Sequence, residues 1–419
     1  MNEFFDLLET RSAGERAHAL ASALPAQVAA AQRTPAMAEA LSGVDAASVN
    51  SLAALASLPV TRKHELLERQ QAQRSSDVFG GYSAIGWARL RGLSGARRVY
   101  QSPGPIYEPE GTRADYWRVA RALFAAGFRA GQLVHNSFSY HLTPGAWMME
   151  SGAAALGCTV FPGGVGNTEL QLQAMQDLRP DGYCGTPSFL RILLEKAAES
   201  GTALPSLKRA LLSGEAFPPS LRDWLRERGI EGYQTYATAD VGVIAFETTA
   251  REGLVVEEGV VVEIVRPGTG DVLPEGEVGE VVVTVLHPEY PLLRFGTGDL
   301  SAVLAGRSPC GRSNQRIKGW MGRADQTAKV RGMFVHPSQV AQVLKRHPEL
   351  LRARLVVEGE MANDRMTLHV EAATAPEGLA QAVTHSVREL TKLRCEVLLA
   401  APGSLPNDGK VIEDARRYD

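Results

Sequence analysis

Residues 293–339 read LRFGTGDLSAVLAGRSPCGRSNQRIKGWMGRADQTAKVRGMFVHPSQ, and they separate two parts of the chain that differ in pattern. The stretch contains an acidic Thr-Gly-Asp turn ending at Asp299, a hydrophilic connection, and Gly332, which permits a backbone bend that a side chain would obstruct. We therefore predict a large domain over residues 1–324 and a small domain over residues 325–419.

Alternating helical and strand patterns precede this stretch and predict the α/β class, with a doubly wound, mostly parallel sheet. The clearest patterns are helices at 114–126 and 145–156 and strands at 132–138, 158–162 and 208–212. Two Val-rich runs at 254–266 and 278–286 predict a small antiparallel β subdomain. Alternation after residue 325 predicts a small, mobile α+β domain with helices at 337–346 and 377–391 and strands at 353–357, 366–372 and 395–399.

The first 73 residues are rich in Ala, Leu and Gln and show helical periodicity. Three prolines, Pro25, Pro35 and Pro59, predict that this region is broken into several short helices. Thr61 is a candidate cap for a helix beginning at Arg62, with Glu65 at the capping-box position. We interpret this region as packing elements rather than as part of a site.

The 419-residue composition, with 44% hydrophobic and 22% charged residues, can bury the cores of at least two domains. A formal net charge of −3 provides no basic footprint, so we expect neither nucleic acid nor a membrane as a partner. The four cysteines are widely scattered, as in a reducing compartment. The segment MNEFFDLLET lacks the features of a secretory signal, and no apolar run approaches membrane-spanning length, so we expect a cytoplasmic protein.

Eight short segments occur in an order that resembles the phenylacetate-CoA ligase family of AMP-forming acid-CoA ligases. They are LPVTRKHEL (58–66), GNTELQ (166–171), GTPSFL (185–190), LLSGEAFPPSLR (211–222), YATADVGVIAFE (236–247), TGDL (297–300), GRADQTAKVRGMFVHPSQV (322–340) and LPNDGKVIEDARR (405–417). Any one of them is weak evidence, whereas all eight in one order are specific. The resemblance implies an enzyme that uses ATP, Mg²⁺ and CoA to activate a carboxylic acid as an acyl-adenylate.

The resemblance also implies roles for individual residues. Asp299, at a strand-loop boundary, suits a ribose, Arg323 suits ribose or phosphate, and the aromatic ring of Tyr236 can stack on adenine. Asp240 is expected to help hold Mg²⁺ and Lys410 to catalyse adenylation, while Asp325 is the expected hinge between the domains. The remaining adenine-side residues are Ser213, Gly214, Glu215, Ala237 and Thr238, and the acid-pocket residues are Phe138, Tyr140, His141 and Thr186.

The chain departs from the family pattern where a Ser/Thr/Gly-rich phosphate loop is expected. The segment GLSGARRVYQSPGPIYEPEG (92–111) allows a basic loop using Ser94, Gly95, Arg97 and Arg98, or a stiffened loop using Ser102, Gly104 and Tyr107. The distance to the following helix favours the second register, which puts Glu108 near the usual lysine. Two prolines there remove N–H donors, so a rigid loop covering a pocket is an equal alternative.

Two further departures concern metals. The motif beginning at Tyr236 has Ala239 where the family has a hydroxyl, and it keeps a shortened carboxylate at Asp240, for which an Asx-type turn is the structural alternative. At the positions where some relatives bind structural zinc, this chain has Thr248, Val255 and Ser308, leaving Cys310 alone. One thiolate cannot build a four-ligand site, so we predict no zinc.

Three functions remain as hypotheses. The first is a ligase that makes a CoA thioester of an aromatic, phenylacetate-like acid or a small apolar acid. The second is an adenylating enzyme that passes the acyl group to a carrier-protein thiol or an amine. The third is a nucleotide- or acyl-binding protein without turnover, and the joint presence of Asp299, Arg323 and Lys410 argues against it. A homodimer is included among the expected assembly states.

Overall fold

The structure is a computed structural model that describes residues 3–90, 95–266, 270–324, 328–359, 363–372, 374–406 and 411–416, apart from the side chain of Ser338. Two compact units are present: Met1–Gly214 with Leu225–Met321, and Glu215–Trp224 with Gly322–Asp419. The mixture of helices and mixed sheets confirms the α/β class. Among the helices in these ranges, none is both long enough and apolar enough to cross a membrane.

The first unit contains eight helices and fifteen strands within its described residues. The helices are α1 (Ala13–Ala31), α2 (Pro35–Ala40), α3 (Leu52–Ala56), α4 (Lys63–Gln73), α5 (Ala120–Ala125), α6 (Gly145–Leu156), α7 (Thr168–Leu178) and α8 (Pro187–Glu199), with 3-10 turns at Leu7–Thr10 and Ala46–Ser48. The strands are β1 (Thr61–Arg62), β2 (Arg98–Ser102), β3 (Ile106–Glu110), β4 (Leu133–Asn136), β5 (Thr159–Pro162), β6 (Gly182–Gly185), β7 (Arg209–Leu212), β8 (Glu231–Thr238), β9 (Gly242–Glu247), β10 (Leu254–Val256), β11 (Val260–Val265), β12 (Gly279–Val285), β13 (Phe295–Ser301), β14 (Val303–Leu304) and β15 (Arg316–Ile317).

The largest sheet of the described chain has the strand order β14-β15-β10-β9-β8-β7-β6-β4-β5. The five strands from β5 to β8 are parallel, and β9, β10, β15 and β14 continue the sheet in antiparallel pairs. A second sheet has the order β1-β13-β12-β11, and β2 pairs with β3 as a separate hairpin. Parallel strands place their carboxyl ends, where ligands bind in such folds, along one edge.

The second unit is a smaller α+β body. Its strands are β16 (Ala328–Val330), β17 (Met333–Val335), β18 (Leu350–Glu358), β19 (Arg365–Ala372), β20 (Glu396–Ala400) and β21 (Ile412–Asp414), and its helices are α10 (Pro337–Arg346) and α11 (Leu379–Thr391). Helix α9 covers Pro219–Arg226. Gly332, at φ +81, and Arg331, at φ +48, form the tight turn between β16 and β17. The predicted bend at Gly332 is therefore a hairpin turn.

Several local predictions were wrong. Pro25 does not break a helix, because it lies inside α1, whose first turn is closed by Ser12 and Glu15 and whose apolar face is buried. The helix expected at 114–126 is shorter, because Asp115 and Arg118 have positive φ angles and the Asp115 carboxylate accepts from the N–H groups of Val119 and Ala120. The helix therefore begins only at Ala120.

The predicted cap at Thr61 was also wrong, since Thr61 is buried in β1 and pairs with Phe295. Helix α4 begins at Lys63, and Glu65 accepts a hydrogen bond of 2.9 Å from the Arg62 N–H. The Val-rich run at 254–266 is divided between two sheets, because β10 joins the nine-stranded sheet of the described chain and β11 joins the smaller one. Both corrections depend on which strands pair in the folded protein, and local periodicity in the sequence does not predict strand pairing.

Candidate active site

Asp299 lies within β13 rather than in a turn after a strand, which corrects the sequence prediction. Gly298, at φ +74, precedes it, and the register with β12 shifts between Glu280 and Val282. The buried carboxylate accepts from the Tyr236 hydroxyl, which lies 2.8 Å from Oδ2, and from the Trp320 indole Nε1, which lies 3.1 Å from Oδ1. These two contacts orient both carboxylate oxygens of Asp299.

Tyr236 and Asp240 lie on either side of the end of β8. The ladder with β9 shifts between Tyr236 and Ala237, and the Thr238 hydroxyl accepts from the Val241 N–H at 3.4 Å, which closes the turn. Asp240 is buried, and its Oδ2 receives a hydrogen bond of 2.7 Å from the Lys63 ammonium. Its second oxygen, Oδ1, has no hydrogen-bond partner within the described part of the chain. The sequence did not point to Lys63 as a site residue, although LPVTRKHEL contains it.

A second buried carboxylate is near enough for the charges of Asp240 and Lys63 to act on it. Glu108, on β3, accepts from the Ser102 hydroxyl through Oε1, while Oε2 has no partner among the described residues. Burial, and next the carboxylate charge of Asp240, raise the pKa of Glu108 well above its ordinary value, against the opposing effects of Ser102 and Lys63. The hydroxyl of Tyr290 is also buried without a described partner, and burial followed by the charges of Glu108 and Asp240 raises its pKa.

The candidate phosphate loop is the short connection between β2 and β3. Ser102 and Ile106 form the last pair of the hairpin, so residues 103–105 make the connection and Gly104 carries its single N–H group. Arg98 belongs to β2, where its guanidinium contacts Glu110 at 3.1 Å and lies 4.0 Å from the centre of the Trp147 ring. Of the alternative basic loop, Ser94 lies outside the described residues and Arg97 is exposed.

The predicted acid-pocket residues occupy different environments. The Tyr140 hydroxyl accepts from Asn136 and donates to Glu150, each at 2.9 Å, and the Tyr140 ring meets the Trp147 ring edge-on at 5.0 Å. Phe138 is half-buried against the core, whereas His141 is exposed. These three residues share one loop after β4.

Gln171 ties this loop to its neighbour, a role that the sequence did not suggest. Its side-chain oxygen lies 2.8 Å from both Nε2 of His135 and Oγ of Ser137, and its amide donates to the carbonyls of Gly164 and Gly166. Burial lowers the pKa of His135, so the neutral ring is favoured. The sequence feature that could have pointed to Gln171 is its position as a polar residue in the GNTELQ segment.

Ser213 and Thr186 lie at the carboxyl ends of adjacent parallel strands. The Ser213 N–H bonds the Gly185 carbonyl at 3.2 Å, and its hydroxyl donates to the Thr235 carbonyl at 2.8 Å. Thr186 caps α8 by accepting from the Phe189 N–H at 3.3 Å. Gly214 is exposed at the same edge, and Glu215 is counted with the second unit.

Arg323 belongs to the second unit, where its guanidinium lies 5.9 Å from the centre of the Phe334 ring. Asp325 and Lys410, the predicted hinge and the predicted catalytic lysine, lie outside the described residues.

The region of the zinc prediction surrounds Cys310. Ser308 Oγ lies 3.1 Å from the Cys310 sulfur, and Arg312 donates to that sulfur at 3.6 Å. Burial acts to raise the pKa of Cys310, but hydrogen bonds from Ser308, Thr248 and Arg312 together lower it. Val255 is buried in β10. Over the described ranges, no group of three His, Cys, Asp or Glu side chains is arranged to hold a metal ion.

Comparison with known proteins identifies the relatives of this chain. Residues 118–285 match the family model of the AMP-binding enzymes, and residues 332–416 match the model of the AMP-binding enzyme C-terminal domain. Phenylacetate-coenzyme A ligase of Thermus thermophilus is 33% identical over 349 residues, which are 79% of this chain and 75% of that protein. The enzyme of the same name from Aromatoleum evansii is 31% identical over 385 residues, or 86% and 84% of the two chains.

A solved structure is similar over nearly the whole chain. The crystal structure of 2-hydroxyisobutyryl-CoA ligase in complex with 2-HIB-AMP and CoA has a TM-score of 0.82 and 26% identity, and the match covers 98% of this chain and 92% of that one. The fold and the matched segments define an AMP-binding enzyme. Within that class, the chain belongs to the phenylacetate-coenzyme A ligase family.

Proposed function

We propose that this protein is an AMP-forming acid-CoA ligase. It converts a carboxylic acid and ATP into an acyl-adenylate and pyrophosphate, and the thiol of CoA then displaces AMP. Membership of the phenylacetate-coenzyme A ligase family supports the reaction class. The similar 2-hydroxyisobutyryl-CoA ligase has a crystal structure in complex with 2-HIB-AMP and CoA. The structural observation that carries the proposal is the buried Asp299 carboxylate, oriented by Tyr236 and Trp320.

Adenylation is required because a carboxylate is a poor electrophile with a poor leaving group. The first step brings a carboxylate against the negatively charged α-phosphate, so positive groups must be positioned before the reaction. We assign Lys410 to this role and Asp325 to the hinge of a mobile lid domain, residues 325–419. A lid that turns between two positions serves the two half-reactions in succession.

The nucleotide is assigned to the following residues. Asp299 accepts ribose hydroxyls, because its buried carboxylate is held in one orientation by Tyr236 and Trp320. Arg323 binds ribose or phosphate. The adenine is bounded by Ser213, Gly214 and Glu215 and by Tyr236, Ala237 and Thr238.

Asp240 has the features of a magnesium ligand. Its Oδ1 is a buried carboxylate oxygen without a hydrogen-bond partner in the described chain, and Mg²⁺ prefers hard oxygen ligands. Lys63 occupies the other oxygen and so fixes the carboxylate in one orientation. When bound, the cation supplies positive charge beside the phosphates of ATP.

The acid is assigned to the loop after β4 and to the start of α8. Phe138 and Tyr140 provide aromatic surface, Tyr140 is fixed by Asn136 and Glu150, and His141 and Thr186 complete the set. Aromatic side chains in this loop favour an aromatic or small apolar acid. The cytoplasm, where ATP and CoA are available, is the proposed location.

Acid-dependent pyrophosphate release tests the proposal. Aryl and alkyl acids are screened with ATP and Mg²⁺, with and without CoA, and the products are separated by chromatography. Formation of AMP and an acyl-CoA supports a CoA ligase. Pyrophosphate release that yields a hydroxamate with hydroxylamine, but no thioester with CoA, shows that another acceptor is used. Absence of pyrophosphate release with every acid, while AMP still binds, supports a protein without turnover.

A further inference from the structure

Two buried carboxylates in the first unit each have one oxygen without a hydrogen-bond partner among the described residues. Glu108 and Asp240 are 0% and 3% exposed, and each has one oxygen bonded and one oxygen without a partner in the described chain. Ser102 bonds Glu108, and Lys63 bonds Asp240 at 2.7 Å. Unpaired buried oxygens are costly, so an arrangement that leaves two of them needs a positive or donating group.

Helix α4 holds the two carboxylates in place. Lys63, at its first turn, bonds Asp240, and Gln70, seven residues later, bonds the N–H and carbonyl of Tyr107 at 2.8 and 2.9 Å. Residues seven apart lie on one face of a helix. Because Tyr107 precedes Glu108 on β3, the same helix face positions both carboxylates.

The ionised form of this cluster is short of positive charge, and burial together with the charge of Asp240 raises the pKa of Glu108. Two carboxylates and one ammonium have a net charge of −1 when all are ionised, and the neighbouring Tyr290 hydroxyl is also buried without a described partner. A divalent cation would compensate both unpaired oxygens, and it matches their chemistry, because Mg²⁺ is commonly bound through one or two carboxylates plus phosphate oxygens.

We propose that Glu108 is a second carboxylate ligand, beside Asp240, for the divalent cation of this enzyme. The inference rests on the proposed function, because that function identifies the cation as Mg²⁺. It also gives a role to Glu108, which the second register places near the lysine of the family's phosphate loop. The connection at 103–105 has a single backbone N–H group with which to bind phosphate. The cation would therefore supply part of the binding of the triphosphate that such a loop otherwise provides.

Binding of Mn²⁺ to the nucleotide-free protein provides the test, followed by electron paramagnetic resonance and by calorimetry. We expect one Mn²⁺ per chain, an affinity at least about tenfold weaker in Glu108→Gln, and partial recovery in Glu108→Asp. The amide keeps an acceptor for the Ser102 hydroxyl, so the fold should persist, which circular dichroism checks. Glu68→Gln, the same change at an exposed position on α4, should bind Mn²⁺ as the unaltered protein does.

Equal Mn²⁺ affinity in Glu108→Gln and the unaltered protein would overturn the inference, as would no Mn²⁺ binding to the unaltered protein. AMP binding in the presence of EDTA is measured in parallel. If AMP binds and Glu108→Gln has no effect on Mn²⁺, the inference fails while the proposed function stands. If Mn²⁺ binding depends on Glu108 but AMP does not bind, the metal site stands and the proposed function fails.

Discussion

The hydroxyl of Tyr236 lies 2.8 Å from Oδ2 of Asp299, although 63 positions separate the two residues in the chain. This contact joins the largest sheet of the described chain, which contains β8, to the smaller sheet, which contains β13. The Tyr236 hydroxyl also lies 3.3 Å from the Thr297 hydroxyl, which itself donates to the Val281 carbonyl. The carboxylate is therefore oriented before any ligand arrives.

Replacing Asp299 by Asn should weaken AMP binding about ten- to a hundredfold, because hydrogen bonds to a charged group contribute about 1.5–3 kcal/mol. Tyr236→Phe should weaken it less, since it removes only the group that orients the carboxylate. Calorimetric titration with AMP measures both. Ribose recognition also requires Asp299→Asn to lose discrimination against the 2′- and 3′-deoxy nucleotides. Equal discrimination by the variant and the unaltered protein would remove Asp299 from the ribose site.

Substitutions in the β2–β3 hairpin should show which of the two predicted phosphate loops binds the phosphates of ATP. The single N–H of the connection predicts a high KM for ATP and a smaller effect on AMP binding. Arg98 is already engaged by Glu110 and Trp147, so Arg97→Ala with Arg98→Ala should change the KM for ATP little once stability is accounted for. Ser102→Ala with Tyr107→Phe is the comparison. A tight hold on ATP that is lost only in the arginine variant would show that the basic register is correct.

Zinc should be absent from the purified protein. Thr248 and Ser308 carry hydroxyls that hydrogen-bond the Cys310 sulfur, and Val255 offers no ligand atom. One thiolate does not make a tetrahedral zinc site. Elemental analysis of the protein, purified and dialysed without a chelator, measures the metal content. Stoichiometric zinc that disappears in Cys310→Ser would contradict the prediction.

His287 should make stability fall as the pH drops from about 6.5 towards 4, and the interval from about pH 6.5 to pH 5 is the one measured. Burial lowers the pKa of His287 to about 4, although its contact with Glu289 acts in the opposite direction. Well above pH 6.5, the ordinary pKa of histidine, the ring is neutral in both the folded and the unfolded state, so the stability is fully present. As the pH falls towards 4, the unfolded chain binds a proton that the folded chain does not, and stability is lost.

His287→Gln should therefore flatten the dependence of the thermal unfolding midpoint on pH over that interval. His64→Gln, at an exposed position on α4, is the matched control and should keep the original slope. Glu289, whose pKa is lowered to about 2 mainly by His287, titrates below the range measured. An unchanged slope in His287→Gln would show that other groups cause the pH dependence.

The sequence predicted the fold class and the positions of several helices and strands, because periodicity and turn residues are local properties. It placed α6, at Gly145–Leu156, and found β18, β19 and β20 of the second unit within a few residues, but it missed β16, β17 and β21. It could not predict that Lys63 bonds Asp240, since 177 positions separate them and no spacing rule connects a helix start to a distant strand end. Glu108 was noticed only as a misfit in the phosphate loop, and its burial beside Asp240 required the fold.

Lys410 should be needed for one half-reaction only. During adenylation its ammonium would lie between the acid and the α-phosphate, and the loss of one such positioned charge costs on the order of a hundred- to a thousandfold in rate. Lys410→Ala should slow acid-dependent pyrophosphate release by about that factor. Formation of the thioester from a synthetic acyl-adenylate and CoA should remain near the rate of the unaltered enzyme, since the second step does not use this charge.

Lys345→Ala, which removes an exposed lysine from α10, is the control and should change neither half-reaction. Single-turnover measurements separate the steps, because steady-state rates combine them. Equal losses in both half-reactions would indicate a folding defect or a shared binding role, which the thermal unfolding midpoint distinguishes. If neither step slowed, Lys410 would be an ordinary solvated lysine. The hypothesis that the small domain brings Lys410 into the site for adenylation and removes it for thioester formation would then have to be abandoned.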